Sequence, residues 1–241
     1  MFPVYRHPLM NLYAGTSGYS YKEWKGNFYP PKLPAAQMLR HYAQQLPTVE
    51  INNTFYRSPT PSLLASWCEQ VPPTFRFAIK APRRITHIKR LKDAQDETAY
   101  LLRNLETLGA RLGVILFQLP PYLRKDLARL QTFMDLLPEQ TPAAFEFRAQ
   151  SWFDDSVFEL LRARDFALCI ADTDEVQTPA IIATASWGYL RLRRAQYEDG
   201  ELMNWVRQIR AQPWGHTYVF FKHEDEGIGP RLAAEFLQLA Q

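Results

Sequence analysis

Cysteine is nearly absent from this chain. Cys68 and Cys169 are the two present among 241 residues; they are isolated and form no C-x-x-C pair, which excludes a disulfide framework and a thiolate metal cage. Both are expected to fill apolar space. Long apolar runs are missing as well: no stretch approaches the ~20 residues needed to span a bilayer, so no membrane partner is expected. Residues 1–7 lack the build of a signal peptide, and cytoplasmic residence is the expectation. Gly-rich phosphate loops are also missing, with neither a G-x-G-x-x-G nor a Walker sequence to mark a dinucleotide or nucleoside triphosphate site. The five histidines are too few, and too scattered, to build a multi-zinc centre, because only His87 and His223 fall near strand ends. A net charge of +3 does not by itself argue for nucleic acid, so the placement of charge matters more than its sum.

What the chain does have is a core. With 46% hydrophobic and 14% aromatic residues and no low-complexity linker, residues 1–241 read as one domain with a loose lead-in over residues 1–11. Short β-like runs alternate with helical ones. Strands are expected near 12–16, 48–52, 75–80, 112–119, 143–148, 167–172, 187–193 and 217–222. Helices are expected from Pro34 to Pro47, and over 61–71, 94–109, 126–137, 152–164, 202–211 and 231–239. Eight strands alternating with about as many helices predict an α/β fold of the (β/α)8 TIM-barrel kind. A doubly wound open sheet is the alternative.

The polar residues sharpen that expectation. Val49 and Ile51 share one face of the second strand, which leaves Glu50 and Asn52 together on the other. Burying a carboxylate and an amide in an ordinary core costs a few kcal/mol each unless they are partnered, whereas a barrel lumen open at one end explains both. The same layer collects Lys80, Gln118, Glu146 with Arg148, Asp172, Arg191 with Arg193, and Lys222 with His223. All fall at the carboxyl ends of strands, where barrel active sites lie, and they are expected to share an inward parity. Charge also gathers at strand ends simply because they meet solvent, which is the plainer account.

Several blocks of this sequence carry a family resemblance. They are AGTSGYSY at 14–21 with Trp24, EINNTFYR at 50–57, FAIKAP at 77–82, FQLPP at 117–121, Glu146 with Arg148 and Ser151-Trp152, ADT at 171–173, and YLRL at 189–192. Together they resemble the DUF72 (YecE-like) family over nearly the whole chain. The resemblance implies a TIM barrel and leaves the reaction open. It departs at two places: Arg191-Leu192-Arg193-Arg194 stands where the family pattern has Arg-Leu-His-Gly, and Lys222-His223-Glu224-Asp225 where it has paired asparagines.

Glu50, Glu146 and Asp172 are the candidate acids or bases. Lys80, Arg148 and Arg191 are the candidate charge stabilisers, Asn52 and Gln118 the orienting amides. One divalent metal ion on Glu146, Asp172 and a third ligand is a further expectation. The loop after the third strand is basic, with Arg83, Arg84, Lys89, Arg90 and Lys92, and Arg191, Arg193 and Arg194 mark the end of the seventh. Both stretches suit an anionic partner, because arginine forks fit phosphate bidentately. The expected function is an enzyme, hydrolase- or lyase-like, acting at the mouth of the barrel on an anionic, phosphate-containing substrate, a phosphorylated small molecule or nucleic acid. A glycosidase-like hydrolase is one alternative, with two carboxyl groups flanking a sugar and Tyr19, Tyr21 and Trp24 stacking on it. A non-catalytic nucleic-acid-binding barrel is the other, with phosphate contacts from the basic loop and base stacking on aromatics.

Overall fold

Large outward side chains on every second strand position decide how the sheet curls. Val49, Phe77, Phe117, Phe145, Ile170 and Leu190 lie in one apolar cluster with the helices, while Ala78, Val114, Ala144, Cys169, Tyr189 and Phe220 form a second cluster in the lumen. Small inward residues on several strands let the sheet close on itself. The computed structural model describes residues 10–175, 180–223 and 225–241, so most of the expected lead-in lies outside the described residues.

The strands are β1 (Asn11–Ser17), β2 (Thr48–Ile51), β3 (Arg76–Lys80), β4 (Leu112–Gln118), β5 (Ala143–Glu146), β6 (Ala167–Asp172), β7 (Trp187–Leu192) and β8 (His216–Phe221). They form a closed barrel in sequence order. Closure is made by the parallel β1–β8 pairing, which runs from Asn11 opposite His216 to Thr16 opposite Phe221. The fold is therefore a (β/α)8 barrel and not an open sheet.

The helices are α1 (Met38–Tyr42), α2 (Pro61–Cys68), α3 (Gln95–Leu105), α4 (Leu127–Met134), α5 (Asp155–Ala163), α6 (Asp199–Arg210) and α7 (Ile228–Leu239). Their starts follow capping chemistry. Thr60 accepts from the Leu63 amide, with Pro61 opening α2, and Asp126 accepts from the Arg129 amide; each satisfies an amide that a helix terminus leaves bare. Asp154 accepts from the Ser156 amide, so α5 begins after it and not at Trp152 as periodicity alone suggests. A Glu198–Glu201 capping box likewise starts α6 earlier than the apolar pattern does. The β6–β7 connection carries no helix among the described residues.

One end of the lumen is shut. Tyr13 stacks on Tyr218 at 5.0 Å between ring centroids, and Trp187 stacks on His216 at 5.8 Å. Beside them Trp214 presses against Gly188, where an added Cβ would stand 2.5 Å from the indole. Strand direction leaves the other end, at the carboxyl termini, to hold the polar residues. The long aromatic loop after β1 packs into the helix-side core beside α1: Trp24 and Tyr29 are buried, and Phe28 packs edge-on against both.

Candidate functional site at the open end of the barrel

β2 and β5 each end on an inward glutamate, and β7 brings an arginine between them. The Arg191 guanidinium donates from Nη2 to Glu50 Oε1 at 2.8 Å and from Nη1 to Glu146 Oε2 at 2.5 Å. All three side chains are almost completely removed from solvent. Glu50 Oε1 also accepts from Ser17 Oγ at 2.7 Å and Asn52 Nδ2 at 3.1 Å, while Oε2 accepts from the Tyr189 hydroxyl at 2.6 Å. Glu146 Oε2 accepts from Gln118 Nε2 at 2.7 Å, and Oε1 faces Arg148 Nε at 3.2 Å and Arg193 Nη1 at 4.0 Å.

Burial alone would push both carboxyls up. The opposing pull of Arg191 wins: with the Tyr189 and Ser17 hydrogen bonds it holds Glu50 below the usual carboxylate range, and with Arg148 and Gln118 it brings Glu146 down to about 2. Both glutamates are therefore ionised at neutral pH. Two acceptor or donor positions stay open, since Asn52 Oδ1 and Arg191 Nε are buried without a hydrogen-bond partner among the described residues.

Lys80, at the end of β3, is the different member of this layer. Half-buried, its ammonium makes no ion pair or hydrogen bond among the described residues and sits 4.1 Å over the Phe55 ring. Phe55 is placed by the short turn after β2, where Thr54 Oγ1 donates to the Lys80 carbonyl at 2.7 Å. Burial first, then the nearby Arg191 charge, lowers the Lys80 amine to about 8, with Glu146 and Glu50 opposing. His87 also meets the Phe55 ring, edge-on at 4.8 Å between centroids, and is carried by a single π-helical turn, Arg84–Ile88. Burial and the Lys80, Arg148 and Arg83 charges bring its imidazole down to about 4, so it is neutral at pH 7.

Above Glu146 lies a cavity of about 790 Å³ whose charged lining is Glu146, Arg148 and Arg193 below and Asp174, Glu175 and Lys222 at the lip. A second hollow, of about 580 Å³, opens beside it between Phe55, Tyr56, Arg83, Ile88 and Tyr100.

The fold thus brings together Glu50, Asn52, Lys80, Gln118, Glu146, Arg148, Arg191, Arg193 and Lys222. It does not bring in Asp172. β6 turns Leu168 and Ile170 outward into the helix-packed core and Cys169 inward, and Asp172 shares the outward parity. There its Oδ2 accepts from Arg194 Nε at 3.1 Å and the Tyr197 hydroxyl at 2.9 Å. The expected pairing of Glu146 with Asp172 on a metal is therefore not assembled, and among the described residues no group of three histidine, cysteine, aspartate or glutamate side chains is placed to hold an ion. His223 also points away: its Nε2 meets the Arg194 carbonyl at 2.6 Å. Tyr19 packs with the aromatic loop against the helix-side core, its ring 6.4 Å from that of Tyr42, and its hydroxyl makes no hydrogen bond among the described residues. In the basic loop, Arg84 and Lys89 both close on Glu97 at 2.7 Å, whereas Arg83 stays exposed at the edge of the second hollow.

Sequence reasoning gave no site role to three members of this environment, Tyr189, Ser17 and Phe55, and placed His87 only as a histidine near a strand end. Tyr189 lies two residues before Arg191, an inward parity that alternation would have exposed. Ser17 ends β1 at the height of Glu50, its register partner. Phe55 and His87 belong to irregular turns, for which no periodicity exists.

Against this geometry stand the relatives. A family model described as a protein of unknown function, DUF72, matches residues 13–241. The chain belongs to the DUF72 family. It is similar to the UPF0759 protein YunF of Bacillus subtilis, with 22% identity over 239 residues covering 90% of this chain and 80% of that one. It also matches the UPF0759 protein YecE of Escherichia coli, 30% identical over 143 residues, which is 59% of this chain and half of YecE. Among solved structures, a DUF72 family protein of Thermotoga maritima superposes with a TM-score of 0.81 at 26% identity, covering 95% of this chain and 98% of that one. Another from Enterococcus faecalis gives 0.79 at 18% identity, covering 95% of each chain. The family resemblance read from the sequence blocks and the barrel it implies both hold.

Proposed function

We propose that this protein is an enzyme, of hydrolase or lyase type, that takes an anionic, phosphate-containing small molecule at the open end of its barrel. The observation that carries this reading is the cationic layer around the two glutamates: Arg148, Arg191 and Arg193 come within 4.0 Å of Glu50 or Glu146, Lys80 feels both carboxylates, and Arg148 and Arg193 continue into the cavity lining, beside Lys222, Asp174 and Glu175. Arg191 is spent on the two carboxylates, so the remaining cations are the ones a dianion would meet. Arg148 is exposed and Arg193 half-buried; both line the cavity, and their guanidinium forks suit phosphate oxygens. Lys80 is the group for proton transfer, because an amine near pH 8 changes charge at working pH. Asn52 and Gln118 are positioning residues that fix the glutamates.

The same geometry gives a glycosidase less support. Both glutamates are held ionised by one guanidinium, which leaves neither with a proton for a leaving group at neutral pH. Extended nucleic acid is also favoured less, since Arg84 and Lys89 are engaged by Glu97.

Calorimetric titration with inorganic phosphate and small phosphorylated metabolites, at low and high salt, tests the proposal. Arg148→Ala and Arg193→Ala are each expected to weaken binding by roughly tenfold, the loss of one charge-assisted contact. Binding that ignores both substitutions, or none at all at low salt, would sink the reading.

A further inference from the structure

Lys80 is an odd residue to find unpaired. Two ionised glutamates share its lumen, yet both are saturated by Arg191, Tyr189, Ser17, Asn52, Gln118 and Arg148, and the lysine is left over an aromatic ring. A lysine serving only as a counter-charge gains by meeting a carboxylate directly. One kept apolar on one side and crowded by guanidinium groups on the other is an amine disposed to lose its proton and use its lone pair.

We infer that Lys80 is a nucleophile that condenses with the carbonyl carbon of an anionic aldehyde or ketone to form an iminium ion. The anionic part of this assignment rests on the phosphate reading above; the nucleophile does not. In the step, the Nζ lone pair forms the N–C bond while the carbonyl π pair moves to oxygen. The proton released by nitrogen passes to that oxygen, giving a neutral carbinolamine. Solvent reaching the open end of the barrel carries that proton from nitrogen to oxygen. The carbinolamine then takes one proton from solvent and loses water as nitrogen re-forms a double bond to carbon. No oxidant or reductant is consumed. The product carries the same single positive charge as the original ammonium, so Glu146 and Glu50 stabilise it as they do protonated Lys80. Arg148 and Arg193 hold the anionic end of the substrate in the adjoining cavity.

Cyanoborohydride reduces such an iminium to a stable secondary amine, and peptide mass mapping locates it. The intact protein is incubated at pH 7.5 with dihydroxyacetone phosphate or with unphosphorylated dihydroxyacetone, and binding of the phosphate ester is followed separately by calorimetry. At that pH an amine titrating near 8 has on the order of a hundredfold more neutral form than an ordinary lysine. Lys80 is therefore expected to be labelled at least about tenfold faster than Lys22, Lys25 and Lys222, after allowing for the lower nucleophilicity of a less basic amine. Labelling is expected to vanish in both Lys80→Arg and Lys80→Met, with Lys80→Arg retaining the fold and the charge. Faster labelling by the phosphate ester supports both readings, and equal labelling by the two ketones keeps the nucleophile while removing the phosphate preference. Calorimetric binding of the ester with Lys80 labelled no faster than the surface lysines overturns the nucleophile alone; absence of both binding and selective labelling overturns both.

Discussion

Glu50 accepts four hydrogen bonds on two oxygens, and one of them comes from a guanidinium that also serves Glu146. Removing either end of a buried ion pair is costly chiefly because it strands the other charge. Arg191→Met strands two carboxylates, so it is expected to destabilise the protein at pH 7 by at least about 3–5 kcal/mol. The sign of the pH dependence separates this from simple loss of packing. In the native protein Glu146 titrates near 2, below its unfolded value of about 4.3, so its contribution is complete above about pH 4.3 and is lost as pH falls towards 2. That contribution is on the order of 3 kcal/mol. In Arg191→Met the carboxyls are no longer held down, and the deficit relative to wild type is expected to shrink between pH 7 and pH 4. Urea midpoints at the two values measure it, and an equal deficit at both would leave the ion pairs without the role given them.

β6 teaches how far a strand can be read. Its residues Ala167 to Asp172 are apolar until the last, so alternation of polar and apolar gives no hint of facing. Size does: Leu168 and Ile170 are the large members and face the helices, and Asp172 shares their parity. Glu50, Lys80 and Glu146 were legible because their strands alternate a bulky outward residue with something smaller or polar inward, and Arg191 because it stands between Leu190 and Leu192. The chord from Arg191 to both glutamates was not, since it spans 141 and 45 positions and depends on which strands the closed ring brings face to face. Asp172 belongs to the β6–α6 junction, with Arg194, Tyr197 and Glu201. Asp172→Ala is therefore expected to lower stability by roughly 1–3 kcal/mol, the cost of leaving buried donors unmet, while phosphate-ester binding stays within about twofold, well under the 1.4 kcal/mol that a tenfold change represents. A loss of binding at unchanged stability would return Asp172 to the ligand site.

The whole barrel has a stability end and a chemistry end. Tyr13, Tyr218, Trp187 and His216 shut the first, and the cavity above Glu146 opens the second. Gly188→Ala forces a methyl group to within 2.5 Å of Trp214 and is expected to cost about 1–3 kcal/mol through overpacking; thermal melts with and without phosphate ester should show a lower midpoint and an unchanged ligand-induced shift. Among the described residues no helix is long and apolar enough to cross a membrane. The Glu50–Arg191 contact joins the second strand to the seventh, and chains are made from the amino terminus. While a ribosome is still producing β3 to β6, Arg191 does not yet exist to meet Glu50, and drawing that carboxylate into an apolar interior alone costs several kcal/mol. The early strands wait with that edge wet, and disappearance of the Glu50 carboxylate from water marks the arrival of the seventh strand.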